Sequence, residues 1–257
     1  MALRPQRPVS HEDRLTLVDH LTELRSRLVV SMFAFGVALT LCFWQNDVIL
    51  EIVNKPLPGD KQPITFGVTE AFTTTFTNAA YAAILISLPV LLYQVYAFVL
   101  PAFSPDERRL AFPLLLMVPF LFIGGVVFCY YVVLPPAVDF LLNFNADEFR
   151  TEVRARDYYS FATLTMVAMG LGFQMPIGIL AAVKLGVTTV EKLRRNRRYA
   201  VLVIAVLAAL LPTIDPVTML LEMVPLLLLY EFSIILARIF IKPDAEISDP
   251  VAPAEGS

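Results

Sequence analysis

The sequence predicts an all-α membrane protein with six transmembrane helices, both termini in the cytoplasm and an N-terminal amphipathic helix. Of its 257 residues, 57% are hydrophobic, whereas soluble domains typically reach about 45–50%. The apolar residues fall into several long runs, each near the roughly 20 residues that span a bilayer core. Lysines and arginines are concentrated on alternate flanks of these runs, as expected for a chain that crosses the membrane repeatedly.

The six predicted spans cover residues of about 28–44, 76–98, 110–134, 158–183, 199–211 and 219–241. Residues 28–241 therefore form one transmembrane domain. Residues 1–27 form a cytoplasmic region with the amphipathic helix, and the acidic, proline-containing residues 242–257 are predicted to be a disordered cytoplasmic tail. The fifth span has only about 13 apolar residues, or about 20 Å of helix. This is shorter than a hydrocarbon core of about 30 Å, so we expect local thinning or water entry.

The positive-inside rule sets the orientation of the spans. Fifteen lysines and arginines lie on one set of flanks and five on the other, which places both termini inside, and the even number of spans agrees. The inner set is Arg4, Arg7, Arg14, Arg25, Arg27, Arg108, Arg109, Lys184, Lys192, Arg194, Arg195, Arg197, Arg198, Arg238 and Lys242; the outer set is Lys55, Lys61, Arg150, Arg154 and Arg156.

The segment at residues 10–28 has the periodicity of an amphipathic helix that lies along the inner surface before entering the first span. Within it, HLTELRSRL at residues 20–28 concentrates charge just ahead of the apolar run. Glu23 pairs with Arg27 at spacing i,i+4 in one interpretation, worth a few tenths of a kcal/mol. In the other, Glu23 is an anionic docking point that faces the cytoplasm.

A second charged stretch, AFSPDERRL at residues 102–110, lies at the inner tip of the hairpin between the second and third spans. Ser104 is suited to be an N-cap with Pro105 at N1, and Glu107 at N3 would complete a capping box. Glu107 is therefore either a helix cap or a ligand for a cationic partner.

Polar residues also interrupt the spans. Gln174 lies in the fourth span, where Pro176 should kink the helix, and Gln94 lies in the second. An interhelical hydrogen bond, worth about 0.6–2 kcal/mol, explains either glutamine without a functional role. The sixth span carries Glu222 and Glu231, which should face the bundle interior or water, or be protonated.

No catalytic or cofactor-binding pattern accompanies these features. The two histidines, His11 and His20, both precede the first span, and the sequence has no HExxH, no GxSxG and no glycine-rich phosphate loop. The spacing of Cys42 and Cys129 indicates neither a metal site nor a redox pair, and both are predicted to be small buried hydrophobes. We therefore predict a protein that is not an enzyme and needs no metal or cofactor.

Taken together, the charged stretches resemble the TatC family, the multispanning subunit of the twin-arginine (Sec-independent) protein translocase. The resemblance rests on HLTELRSRL before the first span, YQVYAFVLPAFSPDERR at residues 93–109, KPL at residues 55–57 and the Pro–Asp element around Asp215. It covers nearly the whole chain apart from the tail, and the first two motifs together are specific.

The resemblance implies a receptor for folded precursors whose signal peptides carry paired arginines, driven by the proton gradient across a prokaryotic inner membrane. It implies that Glu23 and Glu107 receive the two arginines. Its implied partners are the single-span TatA and TatB subunits, twin-arginine signal peptides, other copies of the chain and the lipid bilayer, but no nucleic acid. The other positions implicated by the resemblance are Arg25, Tyr93 and Phe98 in signal binding, and Pro56 and Asp215 in assembly or transport. We also predict a role in assembly or transport for Gln174 and Glu231.

One position departs from the family pattern. Gln174 stands where the family often has a glutamate ahead of a proline, so the membrane retains a polar group there but loses an ionisable one. Whether Glu222 or Glu231 compensates is left open by the sequence.

Two alternatives compete with the translocase interpretation. In a secondary transporter for a small solute, Gln94, Gln174, Glu222 and Glu231 would line a site at the membrane midplane, but the sequence has no internal repeat and no paired glycine-interrupted helices. An intramembrane enzyme is weaker still, because no nucleophile–base pair or metal set is present.

Overall fold

The computed structural model describes residues 11–59, 62–99, 105–148, 151–209 and 215–240, with side chains of the first helix from Leu21 onward and of the fourth from Leu115 onward. This part of the chain is helical apart from short connections and one isolated β-bridge, between Ile64 and Arg154. The helices are α1 (His11–Trp44), α2 (Asn46–Asn54), α3 (Glu70–Val99), α4 (Pro105–Phe128), a π-helix (Cys129–Val133), α5 (Leu134–Asn143), α6 (Ala155–Gly172), α7 (Met175–Lys184), α8 (Val190–Arg195), α9 (Arg197–Ala209) and α10 (Pro216–Phe240).

Five helical segments of the described chain are long and apolar enough to cross a membrane, namely Leu21–Trp44, Glu70–Phe98, Leu115–Asn143, Ala155–Lys184 and Pro216–Ile239. They correspond to five of the six predicted spans, so the prediction of an all-α, multi-pass membrane protein is confirmed. The predicted fifth span corresponds to α9, whose 13 residues are too few to cross a hydrocarbon core of about 30 Å. The prediction of six spans is therefore confirmed only in part.

The first helix is longer than the predicted span. It runs without a break through 34 residues from His11 to Trp44. The predicted amphipathic segment at residues 10–28 is thus the first part of the spanning helix and not a separate element. The predicted disordered tail at residues 242–257 lies outside the described residues.

Two of the spanning segments are interrupted. In the third, five residues from Cys129 to Val133 form a π-helix between α4 and α5, and α5 has a proline in its first turn. In the fourth, the helix stops at Gly172 and restarts at Met175, with Pro176 in the first turn of α7. The second interruption confirms the predicted effect of Pro176. In the third segment, α5 continues the helix nine residues beyond the predicted end at residue 134.

The helices pack through two buried clusters. The larger joins α2, the π-helix, α5, α6 and α10, and the smaller joins α1 to α3 through alanines and Cys42. Small residues let helix backbones approach closely, which is how helices associate in a membrane. Large apolar side chains such as Phe33, Phe120 and Leu228 remain exposed on the outside of the bundle, as a lipid-facing surface requires. Cys42 and Cys129 are both buried free thiols, which confirms their prediction as packing residues.

Candidate functional site

Glu23 lies near the start of the apolar part of α1 and binds a guanidinium from its own helix. Arg27 donates from Nε and Nη2 to Glu23 Oε1 at 3.0 and 2.6 Å. The side chains are partly accessible, 33% exposed for Glu23 and 23% for Arg27. The predicted i,i+4 ion pair is therefore present, and it places the carboxylate in a geometry that recognises a guanidinium.

Arg27 also connects α1 to the end of α3. Its Nη1 donates to Oε1 of Gln94 at 3.0 Å, and its Nη2 donates to the carbonyl oxygen of Ala97 at 3.3 Å. Cations near a helix C-terminus interact favourably with its free carbonyl groups. The charge of Glu23 is thus held beside the last turn of α3 by one arginine that contacts both helices. The hydrogen bond from Arg27 to Gln94 is the interhelical hydrogen bond predicted for that glutamine.

The other residues predicted for signal binding surround the same end of the bundle. Arg25 is exposed on α1, and Tyr93 is 41% exposed and Phe98 half-buried on α3. Helix α4 begins at Pro105, the position predicted to be N1, which places the Glu107 backbone in its first turn. Ser104 and the Glu107 side chain lie outside the described part, so the capping box stays a prediction.

At the opposite end of the bundle, Pro56 is half-buried in the turn that follows α2. Two tyrosines fix this turn to the bundle. Tyr130 donates its hydroxyl to the carbonyl of Ile52 at 2.7 Å, and Tyr158 donates to that of Val53 at 2.6 Å. Pro56 therefore helps to shape a loop that is tied to the third and fourth spanning segments.

The same end contains an ion pair that sequence reasoning missed. Arg154 Nε donates to Glu70 Oε1 at 2.7 Å, while Glu70 Oε2 accepts from the backbone N–H groups of Phe66 and Gly67 at 2.8 and 3.0 Å. The hydrogen bond to Glu70 raises the pKa of Arg154 above its ordinary value. No local pattern could have found the pair, because 84 residues separate its members.

Gln174 is buried at the break between α6 and α7. Its Nε2 donates to the carbonyl oxygen of Val118 in α4 at 3.1 Å, whereas its Oε1 has no partner among the described residues. The interhelical hydrogen bond that explains Gln174 without a functional role is therefore present.

The two remaining predicted residues lie before the start of α10 and within its second half. Asp215 precedes the helix and its Oδ1 accepts from the N–H of Thr218 at 2.7 Å, the geometry of an N-cap. Glu231 accepts from Arg197 Nη2 at 2.7 Å and is 43% exposed. The structure thus separates the predicted site residues into one group around α1 and α3 and others that are distributed along the bundle.

Of the two acids that the sequence places in the sixth predicted span, Glu222 and not Glu231 is the buried one. Glu222 is 0% exposed, and neither of its oxygens has a hydrogen-bond partner in the described chain. The position of Glu222 in an apolar run predicted an acid inside the membrane. Only the packing of the helices shows that Glu222 is the buried acid and Glu231 is not.

Comparison with known proteins decides the family. The model of the TatC family, Sec-independent protein translocase protein, matches residues 19–225. The chain belongs to the TatC family. The relative from Carboxydothermus hydrogenoformans is 36% identical over 235 residues, covering 90% of this chain and 96% of the relative. The Escherichia coli TatC is 34% identical over 238 residues, covering 91% and 92%.

A crystal structure described as the twin-arginine translocase receptor TatC superimposes with a TM-score of 0.76 at 35% identity, covering 86% of this chain and 98% of that one. The chain is therefore a multi-pass membrane protein and a core subunit of the twin-arginine translocase, a transport component and not an enzyme. This confirms the resemblance on which the sequence prediction rested, and it favours the translocase over the small-solute transporter.

Proposed function

We propose that this TatC protein is the receptor for twin-arginine signal peptides, and that Glu23 and Glu107 receive the two arginines. The observation that carries the proposal is the contact of Arg27 with Glu23 at 2.6 and 3.0 Å. In the resting chain, the carboxylate already holds a guanidinium and is partly accessible. An incoming arginine therefore meets a site whose geometry needs little rearrangement.

An arginine of the signal peptide can replace Arg27 at Glu23 at a small cost in free energy. An exposed i,i+4 ion pair is worth only about 0.3–0.5 kcal/mol, so the pair of Glu23 with Arg27 opposes an incoming arginine weakly. Arg27 retains its contacts with Gln94 and Ala97 when Glu23 turns away. Arginine is preferred to lysine because its planar fork matches a carboxylate bidentately, whereas an ammonium is a point charge.

The second acid and the apolar part of the signal complete the proposed recognition. Glu107, in the first turn of α4, receives the second arginine. Tyr93 and Phe98 on α3 contact the signal beside the pair, and Arg25 contributes to the same surface. The apolar region of the signal then lies along the exposed apolar sides of the spans, where each buried CH₂ contributes about 0.8 kcal/mol.

We propose a six-span topology with both termini in the cytoplasm of a prokaryotic inner membrane. The exposed basic run that includes Lys192, Arg194, Arg195 and Arg198 lies between α7 and α9, which supports an inner location for that connection. Helix α9 is then the fifth span, and its 13 residues extend about 20 Å. A bilayer of about 30 Å must thin around it.

Transport, in this proposal, also requires TatA, TatB, further copies of this chain and the transmembrane proton gradient. Pro56 shapes the outer loop, Asp215 fixes the start of α10, and Gln174 keeps a polar group at the break of the fourth segment. Glu231 binds Arg197 and so joins the second half of α10 to the start of α9.

Photo-crosslinking tests the receptor role. A photoreactive residue placed at position 23 or 107 should capture a twin-arginine signal peptide and fail to capture its twin-lysine form. The matched control carries the same residue at position 191, which is exposed on α8 and lies outside the proposed site. Equal capture of both peptides at positions 23 and 107, or capture at position 191 alone, would reject the proposed recognition.

A further inference from the structure

The buried carboxyl of Glu222 is the feature of this molecule that the proposed recognition leaves unexplained. It lies in α10 and is fully buried, and neither oxygen has a hydrogen-bond partner of ordinary geometry among the described residues, although the Thr165 hydroxyl interacts with it. An ionised carboxylate without a partner is expensive in an apolar medium, so such groups bind a proton, water or a cation. A leucine at this position would avoid the cost of burying a carboxylate.

Other polar atoms without partners gather around Glu222. Thr165 of α6 is also fully buried, its hydroxyl has no other partner in the described chain, and it interacts with the Glu222 carboxyl. Thr218, one turn earlier on α10, is fully buried with an unpartnered hydroxyl. Asp215 has one buried oxygen, Oδ2, without a partner. Polar groups from two helices and a helix start therefore share one region of the bundle interior.

Within the described part of the chain, no positively charged group interacts with Glu222. The titratable groups that interact with it are Asp215, at the start of α10, and Cys129, on the π-helix. Thr165 on α6 and Thr218 on α10 are uncharged. π-helical segments occur often at functional sites, and this one meets α10 at the level of Glu222. A second acid nearby disfavours the ionised form of a carboxyl, and the described residues contain no group of three or more His, Cys, Asp or Glu that could hold a metal ion.

The region lies in the half of the bundle at which α10 begins, because Glu222 and Thr165 both lie in the first half of their spanning segments. Glu222 is six residues from the start of α10 and Thr165 ten residues from the start of α6, or about 9 and 15 Å along each helix. Asp215 lies between Glu222 and the end of the bundle at which α10 begins. Polar oxygens thus extend from that end to Glu222.

Gln174 is at a different level. The backbone at Gly172 meets the side chain of Leu226, one turn beyond Glu222, and Gln174 follows Gly172 toward the other face. The uncharged glutamine and the buried acid are therefore separate features. Of the two, only the acid can exchange a proton.

We propose that Glu222, Thr165, Thr218 and Asp215 form a hydrated proton-binding site inside the bundle, and that reversible protonation of Glu222 is required for transport. A hydronium ion at the end of the bundle where α10 begins gives its proton to the Glu222 carboxylate and leaves as water. The reverse step returns the proton to water. Thr165 donates its hydroxyl hydrogen to the ionised form, and Asp215 holds water between Glu222 and the aqueous phase. This inference rests on the proposed translocase function.

Infrared titration of the purified full chain in nanodiscs measures the site directly. We expect a protonated-carboxyl band whose intensity changes reversibly with pH. The band should shift in D₂O, disappear in Glu222→Gln and persist in Glu191→Gln, whose carboxyl is exposed on α8. Thr165→Val removes the donor to the ionised form and should move the midpoint to higher pH.

Transport and peptide binding distinguish this proposal from the receptor proposal. Glu222→Gln should bind a twin-arginine peptide like the unmodified chain but lose at least tenfold in export rate, whereas Glu222→Asp should retain export with a displaced pH profile. An unchanged infrared band in Glu222→Gln, or export by that variant at the normal rate, would overturn the proton-binding site. Failure of the unmodified chain to bind the peptide would instead overturn the receptor role. If Glu222→Gln fails to insert, the Thr165→Val midpoint decides, and an unmoved midpoint overturns the proposal.

Discussion

Glu23 Oε1 accepts both Nε and Nη2 of Arg27, four residues later on the same helix, while Arg27 reaches Gln94 and the Ala97 carbonyl on α3. The ion pair and the receptor role for Glu23 are therefore compatible and not exclusive. In the proposed receptor, the contacts of Arg27 with α3 would retain that arginine when an arginine of the signal peptide replaces it at Glu23.

Glu23→Gln should separate stability from recognition. Because the pair is partly exposed, its loss should change the free energy of unfolding by no more than about 0.5 kcal/mol. Binding of a twin-arginine peptide should nevertheless fall sharply. Thermal unfolding in detergent checks the first effect, with Arg27→Ala as the comparison. That variant also loses both contacts with α3, so it should destabilise more; the opposite order would show that Glu23 is mainly structural.

Gln174→Leu should impair transport after the signal has bound. The change removes the hydrogen bond from Gln174 to the Val118 carbonyl, which joins α7 to α4 and is worth about 0.6–2 kcal/mol. Peptide binding should stay normal while export falls. Gln174→Glu, which keeps a polar group, should retain more export than the leucine variant. Unchanged export in Gln174→Leu would show that polarity is dispensable at this break.

Gly125→Ala should destabilise the bundle where α4 crosses α6. A Cβ at Gly125 would lie 2.9 Å from the Gly170 Cα and the Met169 carbonyl oxygen, and these backbone atoms cannot yield as a side chain can. Overpacking of this kind costs about 1–3 kcal/mol. The neighbouring Gly124→Ala is a matched control, because its Cβ would have nothing within 4 Å. Equal unfolding temperatures for the two variants would refute the close crossing.

Glu70→Gln should loosen the loops at the end of the bundle where α3 begins. The amide keeps an acceptor for the backbone groups of Phe66 and Gly67 but loses the charge that binds Arg154. Proteolysis or hydrogen exchange of residues 62–69 should therefore increase. Glu51→Gln serves as the control, since Glu51 is exposed on α2; the same increase in that variant would assign the effect to general loss of negative charge.

Hydropathy alone predicted most of the helical architecture, because a segment that crosses a bilayer must be long, apolar and helical. The positions of five spanning segments and the break at Pro176 followed from the sequence. The unbroken course of α1 did not, since amphipathic and apolar periodicities are both helical and no proline or glycine separates them. The π-helix at Cys129–Val133 also has no signature in its residue types.

The contacts of the candidate site could be predicted where the two residues are close together in the sequence. The pairing of Glu23 with Arg27 follows from helical spacing, and the N-cap role of Asp215 follows from its place before Pro216. The contacts of Arg27 with α3, of Gln174 with α4 and of Glu70 with Arg154 join residues far apart in the chain. These depend on how helices pack, which no periodicity encodes. The family resemblance identified residues but not these partners.

Peptide affinity measured in a four-way comparison tests the central claim most directly. The unmodified chain and the Glu23→Gln, Glu107→Gln double variant are each titrated with a twin-arginine peptide and its twin-lysine form, with Glu191→Gln as the control for loss of negative charge. We predict that the unmodified chain and the control prefer the arginine peptide by at least about tenfold, or 1.4 kcal/mol, and that the double variant shows no preference. A preference that survives unchanged in the double variant would contradict the claim that these carboxylates recognise the paired arginines.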